Sequence, residues 1–377
     1  MNSTLGEVCS IIMGQAPSGD TYSATQGVPL IAGAGDFSRG VLSPKKYTSQ
    51  PTKLSRAGDV VLSIRASIGD KVWSDGEYCL GRGVAALRAG AQLDRNFLWH
   101  WLGHIEPTLR AKAKGATFLQ VNRSDITELP LPVPPLDEQR RIAAILDKAD
   151  ELRTKRRAAL AHLDALTQSI FHAMFGDPVT NPRNLPRLAL PEIGRLYSGG
   201  TPSKATPENW EGDVPWFSPK DIKESFLENS KDHISPQVTE TTSLKLLPAK
   251  TVVFVVRGMI LAHSFPVAML RRPATINQDL KAIQPYKPIE PEFLLACLQA
   301  QHGHAVSLVE TAAHGTKKLT ADGLSKIYVF EVSLERQQEF AGQVSAVERL
   351  KQAHRKHLAE LDALFASLQH RAFKGEL

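Results

Sequence analysis

The chain repeats itself, and no other property of its sequence restricts the fold so much. Leu136 to Ala173 is matched by Leu334 to Arg371 at a constant spacing of 198 residues, so Leu160-Ala-His-Leu-Asp-Ala-Leu166 aligns with Leu358-Ala-Glu-Leu-Asp-Ala-Leu364. Similarity at a fixed period means copies of one structural unit. In the first segment Ile142, Ile145, Ala149, Leu152, Arg156, Ala159, Leu163, Leu166, Ile170 and Ala173 alternate spacings of three and four. This is the heptad rule that turns one helical seam toward a partner. Phe340, Gln343, Val347, Leu350, His354, His357, Leu361, Leu364 and Leu368 take the matching positions in the second. At about 1.5 Å per residue each helix is roughly 58 Å long, too long to hide inside one domain. The nearest partner for each is the other, run antiparallel about a pseudo-twofold axis. Arg156 and His354 then share an equivalent seam position, where a polar residue can fix register; the plainer alternative is that both reach out to solvent.

The segments ahead of the helices repeat more loosely, with a period of about 200 residues. Leu5-Gly-Glu-Val8 aligns with Ile193-Gly-Arg-Leu196, Val28-Pro-Leu-Ile31 with Val214-Pro-Trp-Phe217, and Val60-Val-Leu-Ser-Ile-Arg65 with Val252-Val-Phe-Val-Val-Arg257. Asn96 to Leu102 is echoed by Glu292 to Leu298, and Lys114-Gly-Ala-Thr117 by His314-Gly-Thr-Lys317. Short β-rich runs broken by turn residues, with one helix near 95–113 and 291–309, predict a mixed α/β domain in each half. In Leu129-Pro-Leu-Pro-Val-Pro-Pro135 the prolines remove donors and should stop any strand. The expected class is α+β: two tandem mixed α/β domains (1–135 and 177–333) joined by two long antiparallel coiled-coil helices (136–176 and 334–377).

Composition excludes some alternatives. The longest apolar runs, such as Thr251 to Val256, are strand-sized, far short of a bilayer span, and no basic, then apolar, leader opens the chain. Three scattered cysteines, Cys9, Cys79 and Cys297, suit neither a disulfide framework nor a zinc cluster and fit the cytoplasm. A net charge of +6 suits a polyanionic partner.

At this point the chain resembles type I restriction-modification specificity subunits. The resemblance rests on Leu129 to Ile142 (LPLPVPPLDEQRRI), on Phe171-His-Ala-Met-Phe-Gly-Asp177, on Gly199-Gly-Thr-Pro-Ser203, and on the two-unit, two-helix layout. It implies two target-recognition domains, each reading one half of a split site in double-stranded DNA. It also implies helices that space the domains and dock two methyltransferase (modification) subunits, with restriction/translocase subunits joining through them. S-adenosylmethionine, ATP and Mg are then expected on partner subunits, with none in this chain. The second lead-in, Phe330 to Gln337, departs from the family by lacking its prolines.

Ile31-Ala-Gly-Ala-Gly-Asp-Phe37 faintly suggests a cofactor loop, but a lone Gly-x-Gly is common. The sequence has no amino-methyltransferase tetrad, phosphate loop, zinc spacing or nucleophile triad, so no catalytic or metal residues are expected. Base and phosphate contacts call for Arg, Lys, Gln, Ser and Thr on loops. The candidates are Arg65 and Ser67 with their repeat equivalent Arg257; Gln15 and Ser18; Arg82; Lys112, Lys114 and Thr117; Thr201, Ser203 and Lys204; and Thr316, Lys317 and Lys318. Leu146, Leu160 and Met174 on one helix, with Val344, Leu358 and Phe365 on the other, are expected to face outward and bind partners. A chain that itself methylates or cuts DNA is the second reading, which the absent motifs oppose, and a tandem-domain coiled-coil adaptor with a protein target is the third; a gel shift with and without the methyltransferase partner separates them.

Overall fold

The computed structural model describes residues 2–115, 119–312 and 315–377. The chain divides into two units, residues 1–157 with 356–377, and residues 158–355. Each unit takes in the adjoining half of both long helices, Leu136–Phe175 and Leu334–Lys374.

In the first unit an antiparallel sheet runs in the order Cys9–Met13, Val84–Ala89, Val60–Ser63, Lys71–Trp73. A second sheet orders Cys79–Leu80, Val28–Ile31, Lys46–Thr48 and Tyr22–Ser23. The second unit repeats the plan with Gly194–Ser198, Leu280–Pro285, Val252–Val255 and Val267–Leu270, adding Phe226–Leu227 at the edge. Val60–Ser63 and Val252–Val255 are buried at every residue, as unbroken apolar runs demand.

Helix Arg95–Ala111 packs Phe97, Leu98, Trp101, Leu102, Ile105 and Leu109 into the first core, its start capped by Asp94 through the amides of Asn96 and Phe97. Its counterpart is not the single helix expected to residue 309. It breaks into Pro291–Gln299 and His302–Ser307 around buried Gln301, whose side chain donates to the carbonyls of Cys297 and Tyr328.

Two further expectations change. The proline-rich lead-in does form a strand, Pro130–Pro132, antiparallel to Asn2–Thr4. Proline stands at alternate residues, which leaves Leu131 to pair with Ser3 in a two-stranded ribbon with open edges. The counterpart of Leu5–Val8 is Leu190–Ile193, three residues before the segment aligned by sequence. Both are one-turn helices in which an acid, Glu7 or Glu192, accepts from the amide three residues earlier.

Gln139 and Gln337, at matching repeat positions, tie each long helix to its domain. Gln139 accepts from the Asp94 amide at 2.8 Å and donates to the carbonyls of Gln92 and Pro134. Gln337 accepts from Glu290 and donates to Val332.

Within each unit the helical stretches run antiparallel. In the first, Arg153 donates to Asp362 at 2.6 Å and Arg141 to the carbonyl of Leu377. In the second, Lys351 pairs with Asp164 at 3.0 Å and Arg336 donates to the carbonyl of Met174.

The buried stripe differs from the expected seam by one residue in every second position. Ile142, Ala149, Phe340 and Val347 are buried as expected, but Leu146 and Val344 are fully or almost fully buried in the cores. Leu152, Leu166, Leu350 and Leu364, expected in the seam, are 42, 40, 52 and 49% exposed. The sequence disguises this frame because it runs through Arg153 and Lys351. The Arg153 guanidinium lies 4.2 Å over the Phe365 ring and bonds Asp150 and Asp362, while Lys351 bonds Asp164 and Glu348. Ion pairs laid over apolar stems let polar residues take core-facing positions.

Leu146 and Val344 are therefore core residues, not outward-facing ones. Met174 and Phe365 pack against the cores, half buried, and Leu160 and Leu358 are half buried on the helices. Arg156 and His354 are half buried as well.

Candidate nucleic-acid interface

Where the central strand ends, three loops meet in the first unit. The Ile64 amide donates to the Gly83 carbonyl at 2.9 Å, and the amides of Gly81 and Gly83 donate to Ile31 and Ala32 at 2.8 and 3.0 Å. Glycine at 83 is required here, since a Cβ would lie 2.3 Å from the Ala32 carbonyl oxygen. Ala66, after Arg65, takes a left-handed φ of 56°, an uncommon conformation for a non-glycine residue. The result is a cleft of about 460 Å³ whose walls include Tyr22, Ala32 to Gly35, Arg65 to Ser67 and Gly81 to Gly83. Asp36 turns inward, accepting from the Ala32 amide at 2.7 Å; this acid closes its own glycine loop. Among the described residues neither Arg65 nor Arg82 has a carboxylate partner.

The second unit builds the same junction with other side chains. The Val256 amide donates to the Asp279 carbonyl at 2.9 Å, as Ile64 does to Gly83. Arg257 bridges Lys318 through the backbone, as Arg65 bridges Gln120. The cleft here measures about 440 Å³ and is lined by Ser198, Arg257, Gln278, Lys281 and Lys318 among others. Arg257 Nε donates to Asp279 Oδ1 at 2.6 Å, and Asp279 is held by Asn277, which donates to it through Nδ2 and accepts from its amide. Lys281 donates to Ser198 Oγ at 2.9 Å. Burial, and then the like charge of Lys318, hold its ammonium below the ordinary lysine range.

Of the residues singled out from the sequence, Arg65, Ser67 and Arg82 line the first cleft, and Arg257 and Lys318 the second. Thr201 joins through Gln278, donating to its Oε1 at 2.6 Å. Lys114 is one strand further out, paired through its backbone with Gln120, and Lys112 caps the end of helix Arg95–Ala111. Lys317 bonds the Thr311 hydroxyl beside Lys318, and the Thr316 carbonyl accepts from Ala312.

Gln15 is exposed beside the cleft residue Ala16, whereas Ser18 and the Ser203–Lys204 turn do not line either cleft. Thr117 lies outside the described residues.

Sequence reasoning missed Tyr22, Gln278, Asp279 and Lys281. The available signal was Lys281, the one charged residue in the strand Leu280–Pro285.

Among the described residues no group of three or more His, Cys, Asp or Glu side chains could hold a metal ion, and no helix is long and apolar enough to cross a membrane. The buried thiols of Cys9 and Cys297 are pushed up to about 12, chiefly by burial.

Comparison with known proteins places this geometry in context. The family model described as the type I restriction modification DNA specificity domain matches residues 1–162 and 187–363. The putative type I restriction enzyme MjaX specificity subunit of Methanocaldococcus jannaschii is 30% identical over 166 residues, 44% of this chain and 39% of that protein. The EcoR124I/EcoR124II specificity subunit of Escherichia coli is 43% identical over 106 residues, 28% of this chain and 26% of that protein. The matches thus span well under half the length of these relatives. Among solved structures, the S subunit of a type I restriction-modification system from M. genitalium superposes with a TM-score of 0.58 at 16% identity, covering 99% of this chain and 96% of that one. A chain from a study of complex assembly and conformational transition in the type I R-M system gives 0.62 at 21% identity, covering 100% and 98%. Both share the fold.

Proposed function

The chain belongs to the type I restriction-modification DNA specificity family, and from that premise we propose that each of its units reads one half of a split, asymmetric site in double-stranded DNA. One observation carries the reading: the same backbone junction in both units, Ile64 to Gly83 and Val256 to Asp279, borders a cleft that carries cations, and the side chains at equivalent places differ, Arg65 and Arg82 against Arg257 and Gln278. A shared frame with unlike side chains suits two readers of unlike sequence, because base edges are distinguished by donor and acceptor pattern. The chain itself carries no chemistry in this reading. S-adenosylmethionine, ATP and Mg belong to partner subunits, and the assembly works on cytoplasmic DNA.

Sequencing the methylated bases of cells that carry the complete system tests this directly. We expect one motif of two different halves separated by unread bases. A continuous or palindromic motif overturns it. Calorimetry of the purified chain should give no binding of S-adenosylmethionine.

The four exposed leucines at the expected seam positions form two repeat-equivalent pairs. Leu152 and Leu364 flank the Arg153–Asp362 ion pair in the first unit, and Leu166 and Leu350 flank the Asp164–Lys351 pair in the second. Exposed apolar side chains at equivalent sites suit a protein partner, and two such sites suit two methyltransferase subunits, with restriction subunits joining through them. L152D/L364D and L166D/L350D should each reduce the methyltransferase content of the complex from two to one, read by light scattering. Unchanged stoichiometry places docking elsewhere.

A further inference from the structure

We propose that Arg257 reads a guanine in the half-site met by the second unit, and that Asp279 is the positioning residue that aims it. The proposal rests on the DNA-reading function above and adds the chemistry of one contact.

The geometry is specific. Asp279 takes Nε of Arg257 at 2.6 Å, and among the described residues the two terminal nitrogens have no partner, while Arg257 lines the cleft. Those two nitrogens form the fork that matches O6 and N7 of guanine in the major groove. The carboxylate is itself fixed. Asn277, only 5% exposed, bonds both its oxygen and its amide, and the Arg257 amide donates to the Asp279 carbonyl at 3.3 Å. Asn277, Asp279 and Arg257 thus form a braced chain that ends in a free fork.

A phosphate fits this group less well. Its oxygens would sit beside the Asp279 carboxylate, and the two negative charges would repel. The acceptors on a guanine edge are neutral, so the acid removes little of the attraction while it fixes direction. Lys281 and Lys318, in the same cleft without a carboxylate partner among the described residues, are better placed to take the flanking phosphates. The first unit lacks the brace: glycines 81 and 83 stand where Asn277 and Asp279 stand.

The test uses the full chain assembled with its methyltransferase partners. The probes are duplexes carrying the motif found by methylation sequencing, with each guanine replaced in turn by 7-deazaguanine, which lacks N7. In the wild-type complex one substitution in the second half-site should weaken binding roughly tenfold. In D279A that penalty should shrink to about threefold or less, while the penalties at all other positions persist and affinity for duplexes without the motif rises slightly with the lost negative charge. D279N, which keeps the shape and one acceptor, should retain part of the discrimination, and circular dichroism of both variants checks the fold.

If no guanine in the second half-site is sensitive while the complex still discriminates its motif, the guanine assignment is wrong and DNA reading stands. If folded D279A loses affinity equally on every sequence, Asp279 does not position a reader. If the wild-type complex shows no motif preference at all, the underlying function fails instead.

Discussion

At the mouth of the clefts the two units share a backbone and differ in how they treat an arginine. Arg65 and Arg82 stand among glycines with no carboxylate among the described residues, whereas Arg257 is bonded to an acid that is itself bonded to an asparagine. A bare cation attracts phosphate at any sequence, whereas a braced one trades charge for direction. The contrast extends to the docking of the long helices. At one repeat position the second unit has Phe171 and the first has Gln369. Phe171 lies in a buried aromatic cluster with Phe175, Phe293, Phe330 and Phe340. Gln369 instead donates to the His100 carbonyl at 3.1 Å, in a place that also holds His104, His370 and Asp147. Divergence has thus changed side-chain chemistry at equivalent sites while keeping the frame.

The largest effect should come from those two residues. Phe171→Ala removes a fully buried ring and should destabilise the second unit by about 3–5 kcal/mol. Gln369→Ala loses one neutral hydrogen bond and should cost the first unit only about 1 kcal/mol. Amide hydrogen exchange reads each unit separately. Equal losses would mean that the aromatic dock is no more dependent on packing than the polar one.

Next in size is the response of the two arginine types to salt. Arg65→Ala and Arg82→Ala should each weaken binding to all duplexes by roughly 1 kcal/mol and flatten the log–log salt dependence by about 0.9. Arg257→Ala should leave that slope nearly unchanged and cost most on the cognate motif. If all three variants flatten the slope equally, Arg257 is one more phosphate contact and the contrast between the clefts disappears.

How much of this was legible in the sequence follows from what a linear pattern can carry. The helices and their repeat were legible, because a 198-residue register across some forty residues leaves few alternatives. The place of Arg65 and Arg257 beside the clefts was legible because each follows a strand whose apolar run is unmistakable. The helix face was misjudged because Ile145 and Leu146 are both apolar, so that heptad offers two frames. The correct frame passes through Arg153 and Lys351, which look solvent-bound until Asp362 and Asp164 arrive from the other helix. Asp279 was missed for the same reason. An acid near a proposed DNA site reads as unfavourable until its partner, 22 positions earlier, is seen beside it. Gly83 gave no sign of its role either, since the carbonyl it must approach belongs to Ala32 on a different strand end.

The two units should also differ, by the least margin, in their response to acid. His100 is buried at the first unit's helix dock, its Nε2 2.7 Å from Asp147 Oδ1. Its pKa is lowered from 6.5, first by burial, with Asp147 and Asp150 opposing and Lys71 adding to the depression. His104 is lowered too, by burial and then by His370. A folded-state pKa below the unfolded value means that the unfolded chain takes up the proton first. The stabilising contribution is therefore complete above pH 6.5, declines as pH falls through the window between 6.5 and the lower folded values, and is absent beneath them. In the second unit the equivalents of His100 and Asp147 are Ala296 and Ser345, so this source of sensitivity is missing there. Hydrogen exchange, corrected for intrinsic rates and compared at pH 7.5 and about pH 5.5, should show protection falling more in the first unit than in the second. His100→Gln should narrow the difference, because the glutamine can still donate to Asp147 and does not titrate. If both units lose protection equally, or His100→Gln changes nothing, the polar dock does not set the first unit's response to acid.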